Sequence, residues 1–220
     1  MTIDTQNLLN SILESLERIE YIKAEDIPNI DLYMDQVTTF MDEHLEQSKR
    51  YPEDKILTKT MINNYAKNHL LPPPNKKKYS KDHMLLLILI YYFKNILSIN
   101  DIQKVLTPLN ERYFKNEKGM DMSWLYEHIM NWEPAQSDRI SSQIQKLSED
   151  ADNIFKDAPQ DDQEYLQLIS VISLLVYDVY QKKQLIEKLI DSIRSHRMVN
   201  QEKRKNSFIV QESFSNFPIQ

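Results

Sequence analysis

The chain has no cysteine and only one glycine, Gly119, among its 220 residues. Without cysteine there is no disulfide, no thiolate metal site and no cysteine nucleophile. A single glycine excludes Gly-rich phosphate loops and dinucleotide-binding fingerprints. It also makes tight hairpins, whose turns need positive φ, hard to build. Long apolar runs are scarce as well. The longest, Met84 to Phe93, is far short of the roughly 20 residues of a membrane span, so it reads as a buried helix. The start, Met1-Thr2-Ile3-Asp4, lacks the basic and apolar regions of a secretory signal. The expectation is a cytoplasmic protein with no membrane partner.

Convergent catalytic groups are also missing. The five histidines, His44, His69, His83, His128 and His196, are scattered, and none forms an HxxxH or HxH pair. No metal triad or Ser-His-Asp set can be argued from spacing. Carboxylate pairs such as Glu149-Asp150 and Asp161-Asp162 fall where helix ends are expected, and a role there in balancing the helix dipole is sufficient. No enzyme, catalytic residue, metal or cofactor is expected.

What is present is charge of both signs, unevenly placed. Residues 1–54 carry four basic and thirteen acidic side chains, residues 55–83 seven and one, and residues 84–220 sixteen and nineteen. The basic island lies inside a chain of net charge −6. Duplex DNA attracts proteins first through its phosphates, so a local positive patch matters more than the total. The other reading of the lysine run is a solvated loop.

Helical periodicity dominates. Leu8, Leu9, Ile12, Leu13, Leu16 and Ile19 give one amphipathic helix over residues 4–22. After Pro28 a second runs from about Asp31 to Gln47. A third starts at Thr58, which can cap free backbone N–H groups, with Leu57 and Ile62 placed as a hydrophobic staple. Its inner face reads Met61, Ile62, Tyr65, Ala66 and Leu70, and its outer face Lys59, Thr60, Asn63, Asn64 and Lys67. Lys59, Thr60 and Lys67 can donate to phosphate oxygens, while Asn63 and Asn64 can pair with adenine edges. Pro72-Pro73-Pro74 then stops the helix, and Lys76, Lys77 and Lys78 follow on a short exposed strand or turn before Tyr79 and the cap Ser80. A core helix spans roughly Lys81 to Leu97, and a shorter one runs from Ser98 to Leu106, closed by Pro108.

The second half is helical too, with stretches over Asp121–Trp132 and Ile140–Phe155 and an uninterrupted pattern from Asp161 to Met198. The last is apolar on more than one face, so it crosses a core or pairs with a second copy; homodimerisation through these C-terminal helices is the expectation. Beyond Val199 a mobile tail is expected, docking through Phe208, Ile209, Val210, Phe214 and Phe217. A small-molecule effector among Trp124, Tyr126, Trp132, Tyr165 and Tyr177 has no support beyond their being aromatic.

The order of capped helix, Tyr65, Leu70-Leu71-Pro72-Pro73, basic turn, Tyr79-Ser80 and apolar helix, followed by Leu97 to Ile102, resembles the winged-helix region of MerR-type transcription regulators. The run Leu32 to Val37 together with Leu57 to His83 resembles, more closely, a bacterial domain-of-unknown-function family, number 1836. The MerR resemblance implies a transcriptional regulator that binds double-stranded DNA, with residues 31–47 as supporting helix, 58–68 as recognition helix and 75–79 as wing. It implies DNA contacts from Thr58, Lys59, Thr60, Asn63, Asn64, Tyr65, Lys67, Lys76, Lys77, Lys78 and Tyr79. The chain departs from that pattern at Asn63, where an arginine is usual, at His69, where a glycine is usual, and in its short wing. The expected fold is all-α: a MerR-like helix-turn-helix N-terminal half with a rudimentary wing, then a helical bundle with one long helix. The expected division is an N-terminal helix at 1–24, a DNA-binding domain at 25–110, a dimerisation or effector domain at 115–198 and a tail at 199–220. The alternative is a helical interaction module that does not bind DNA.

Overall fold

The computed structural model describes residues 5–17, 21–116, 119–130, 133–155 and 157–215. The fold is predominantly helical. The elements are α1 (Thr5–Glu17), a 3-10 turn (Ala24–Asp26), β1 (Leu32–Tyr33), α2 (Met34–His44), a second 3-10 turn (Glu46–Ser48), α3 (Lys59–Lys67), β2 (Lys78–Tyr79), α4 (Lys81–Lys94), α5 (Ile99–Tyr113), α6 (Met122–Met130), α7 (Glu133–Ile154) and α8 (Gln160–Ser215). The two strands pair antiparallel, with Leu32 opposite Tyr79 and Tyr33 opposite Lys78.

The apolar run singled out in the sequence is the centre of the larger core. Every residue from His83 to Tyr91 is buried, so α4 is enclosed on all sides. Around it lie Val37, Phe40 and Met41 of α2, Ile62 and Tyr65 of α3, Ile102 and Leu106 of α5, and Met122 and Tyr126 of α6. The Tyr126 hydroxyl is fully buried and donates to the Ile22 carbonyl at 2.6 Å, fastening the last helix of this unit to its first residues. A domain boundary at residue 110 therefore cuts through the core; the packed unit extends through α6. A second, smaller core joins Leu9 of α1, Ala151 of α7 and Val171 of α8. Sequence reading treats α1 as a separate appendage, whereas it belongs to this C-terminal bundle. The units meet where α5 packs on α8, with Lys104 Nζ 2.8 Å from Asp101 Oδ1 and 3.8 Å from Asp191 Oδ1.

Helix limits differ from the sequence reading in α2, α5 and α8 among others. α2 begins after a strand rather than at Asp31, and it stops at His44 because Leu45 leaves helical geometry (φ −113°, ψ 13°) to bury its side chain. α5 continues past Pro108 to Tyr113. Proline removes one helical hydrogen bond, but Leu109, Tyr113 and Phe114 pack against the larger core, and that packing carries the helix through. α8 does not end at Met198; its backbone is helical to Ser215, about 84 Å at 1.5 Å per residue. The side chains of Phe208, Ile209, Val210 and Phe214, like Phe217 and Trp132, lie outside the described residues, and with them the expected docking of the tail.

Candidate nucleic-acid interface

The third helix starts and ends by identifiable local chemistry. Thr58 is extended (φ −93°, ψ 157°), and its Oγ1 accepts from the Met61 N–H at 3.2 Å, so the hydroxyl named as a DNA contact serves as the N-cap. Leu57 and Ile62 are both buried, as a hydrophobic staple requires. At the other end Leu70 N–H bonds to the Tyr65 carbonyl at 2.9 Å and His69 N–H to the Ala66 carbonyl at 3.2 Å, with His69 at φ 57°. This is a Schellman ending, in which glycine normally takes the left-handed position. The glycine absent from the sequence thus has a structural place, and His69 fills it. Lys59, Thr60, Asn63, Asn64 and Lys67 are exposed on one side, while Ile62 and Tyr65 face the core. Met61, read as an inner residue, is 36% exposed and joins the outer surface.

Tyr65 and Tyr79 are corrections to the contact set. At 7% and 3% exposure their rings belong to the core, and burial pushes both phenols above their ordinary pKa. Strand alternation explains Tyr79: Leu32 and Tyr79 form the inward cross-strand pair, whereas Tyr33 and Lys78 form the outward pair. Lys78 Nζ sits 5.1 Å from the centre of the Tyr33 ring, a cation–π contact.

The lysine run forms a tight turn. Asn75 and Lys78 exchange both backbone hydrogen bonds, at 3.1 and 2.9 Å, and the residues between them, Lys76 and Lys77, have φ of 48° and 65°. Positive φ at both central positions defines a type I′ turn, where Asn-Gly is the favoured pair. A tight hairpin turn is therefore built without glycine, which composition alone argued against. Both turn lysines are exposed.

The start of α2 connects turn and helix. β2 pairs with β1, β1 leads directly into α2, and Asp35 in the first turn of α2 forms an ion pair with Lys59 at the first position of α3. Lys76, Lys77, Lys78, Tyr33, Asp35 and Lys59 thus follow one another along one edge, with Thr60 and Asn63 beyond. The N-termini of α2 and α3 meet there, and their dipoles add positive potential. Sequence reasoning missed Tyr33 and Asp35 as part of this surface. The alternation of buried Leu32 with exposed Tyr33 is a two-residue signal, too short to separate from a helix start.

Among the described residues the other sequence candidates do not gather into a site; the side chain of His196 lies outside them. His44 stacks on Phe40 at 3.9 Å, His128 lies 4.2 Å from Trp124, His83 is buried and His69 ends α3. Among the described residues no three His, Asp or Glu side chains form a metal-binding group, and no helix is long and apolar enough to cross a membrane. Of the aromatics considered for an effector, Tyr126 is core and Trp124 is half-buried between Tyr113 and His128. Tyr165 and Tyr177 are more than 60% exposed on α8, so the described members share no cavity.

The protein is thus a predominantly α-helical molecule in which a domain centred on α4 presents a basic edge. Residues 22–129 match the family described as Domain of unknown function (DUF1836). That match spans the larger core from Ile22 into the last turn of α6, the helix that the sequence reading assigned to the second domain. No curated protein and no solved structure matches the chain.

Proposed function

We propose that the protein is a DNA-binding transcriptional regulator of helix-turn-helix type, MerR-like in its use of α2 as support, α3 as recognition helix and the 75–78 turn as a minimal wing. The observation that carries this reading is the pair of lysines at the centre of the type I′ turn. A non-glycine residue in the left-handed region costs on the order of 1 kcal/mol, and asparagine or glycine would avoid much of that cost. Lysine contributes nothing to the turn itself, so the two exposed charges have a use outside folding, and phosphate is the partner they suit. Thr60, Asn63, Asn64 and Lys67 on the exposed side of α3 supply hydrogen-bonding groups for groove contact.

A second reading has its own observation. Tyr165, Ile172, Val176, Val179 and Tyr180 on α8 are between 47% and 67% exposed, an unusual cost for a helix without a partner. Self-association through this stripe makes the protein an interaction module, and it is compatible with DNA binding because regulators of this type pair two recognition helices on two half-sites. The experiment that separates the readings is titration of the purified protein into random and genomic duplex fragments at increasing salt. Binding at low salt, weakening linearly in log–log form, supports the regulator. No binding at low ionic strength leaves the interaction module.

A further inference from the structure

We propose that Asp35 is a built-in brake on the polyanion affinity of the basic edge, holding Lys59 with an internal carboxylate in the way a phosphate would; this rests on the DNA-binding reading. Asp35 sits in the first turn of α2, next to the outward strand pair Tyr33–Lys78, and its carboxylate pairs with Lys59 Nζ on the first residue of α3. The pair joins two different helices, so it is not a by-product of helix periodicity. Both partners are largely exposed, the lysine side chain at 59% and the aspartate at 77%. An ion pair this wet is weak and open to exchange for a stronger anion. Nothing in the core depends on it: Asp35 and Lys59 are surface residues at helix starts, while the neighbouring burial is supplied by Val37 and Ile62. Asp35 also places a negative charge between the turn lysines and α3, where it repels an approaching phosphate backbone. A helix start favours an acid, so Asp35 serves α2 while opposing the function of the surface. Stability and binding therefore respond to its removal in opposite directions.

Asp35→Asn keeps the shape and removes the charge. With a fluorescent duplex at low salt, we expect Asp35→Asn to bind about three- to ten-fold more tightly than wild type. We expect the slope of log K against log salt to steepen by about 0.9, one further phosphate neutralised by the released Lys59. The melting temperature should fall slightly, because α2 loses the acid in its first turn. Lys59→Ala should weaken binding more in the Asp35→Asn protein than in wild type, because there Lys59 meets DNA without first giving up its carboxylate partner. Unchanged affinity and slope in Asp35→Asn, or a Lys59→Ala effect equal in both backgrounds, overturns the brake while leaving wild-type DNA binding standing. Binding by Asp35→Asn alone supports it in its strongest form. No binding by either protein ends both proposals.

Discussion

His83 shows how one side chain ties the basic turn to the core. Its Nδ1 lies 3.0 Å from the Ser80 N–H and 2.8 Å from the Ser80 hydroxyl, so the neutral ring caps α4 as an acceptor. Tyr79 and Phe114 enclose the ring edge-on at 5.6 and 4.8 Å, and Nε2 is buried without a hydrogen bond of good geometry. Burial lowers its pKa from 6.5 to about 4; Lys115 adds to the shift, while the Pro73 and Pro72 carbonyls and Asp31 oppose it. The sign follows directly. The unfolded chain takes up the proton more readily, so the stability due to neutral His83 is full above pH 6.5 and is lost as pH falls toward 4. The loss is on the order of 2–3 kcal/mol. Half-buried Asp82, whose pKa burial raises, works in the opposite direction. His83→Gln keeps an acceptor at the third helical position and does not titrate. Urea unfolding at pH 7 and pH 4.5 should show a smaller difference for His83→Gln than for wild type; an equal difference would assign the acid loss elsewhere.

At the scale of elements, α3 was the most legible part of the chain and its surroundings the least. Thr58, Leu57 and Ile62 announce the helix start because capping and stapling are local. The left-handed positions at His69, Lys76 and Lys77 were not legible, since their residue types do not favour positive φ and only the surrounding packing and hydrogen bonds impose it. For the same reason composition underestimated the turn. Pro108 misled in the other direction: its local effect ends helices, and packing of Leu109 and Tyr113 outweighs it. The buried Tyr65 and Tyr79 could not be told from surface contacts while the strand register was unknown. His69→Gly tests this account of the helix end. It should stabilise the protein by about 0.5–1 kcal/mol in chemical unfolding, with no change in DNA affinity. Destabilisation would mean that the imidazole makes a contact outweighing the backbone strain.

For the whole molecule, two cores divide the work: the α4-centred unit presents the basic edge, and the bundle of α1, α7 and α8 presents an exposed apolar stripe. Self-association through that stripe would place two basic edges on one assembly. Wild type should sediment as a species heavier than the 26.3 kDa chain, and Val176→Glu should return it to the monomer mass. A monomeric wild type at tens of micromolar would remove the stripe from the functional account. The measurement that bears most directly on the basic edge is the joint replacement Lys76→Asn and Lys77→Gly. This pair gives the turn the residues its backbone favours and removes both charges. Unfolding midpoint and duplex affinity should therefore move apart. We expect a protein more stable by about 1 kcal/mol, bound less tightly by all duplex sequences, with the salt slope shallower by about 1.8. A variant that is more stable and binds DNA with wild-type affinity and slope would show that the turn lysines do not meet phosphate, and would contradict the assignment of this edge as the nucleic-acid interface.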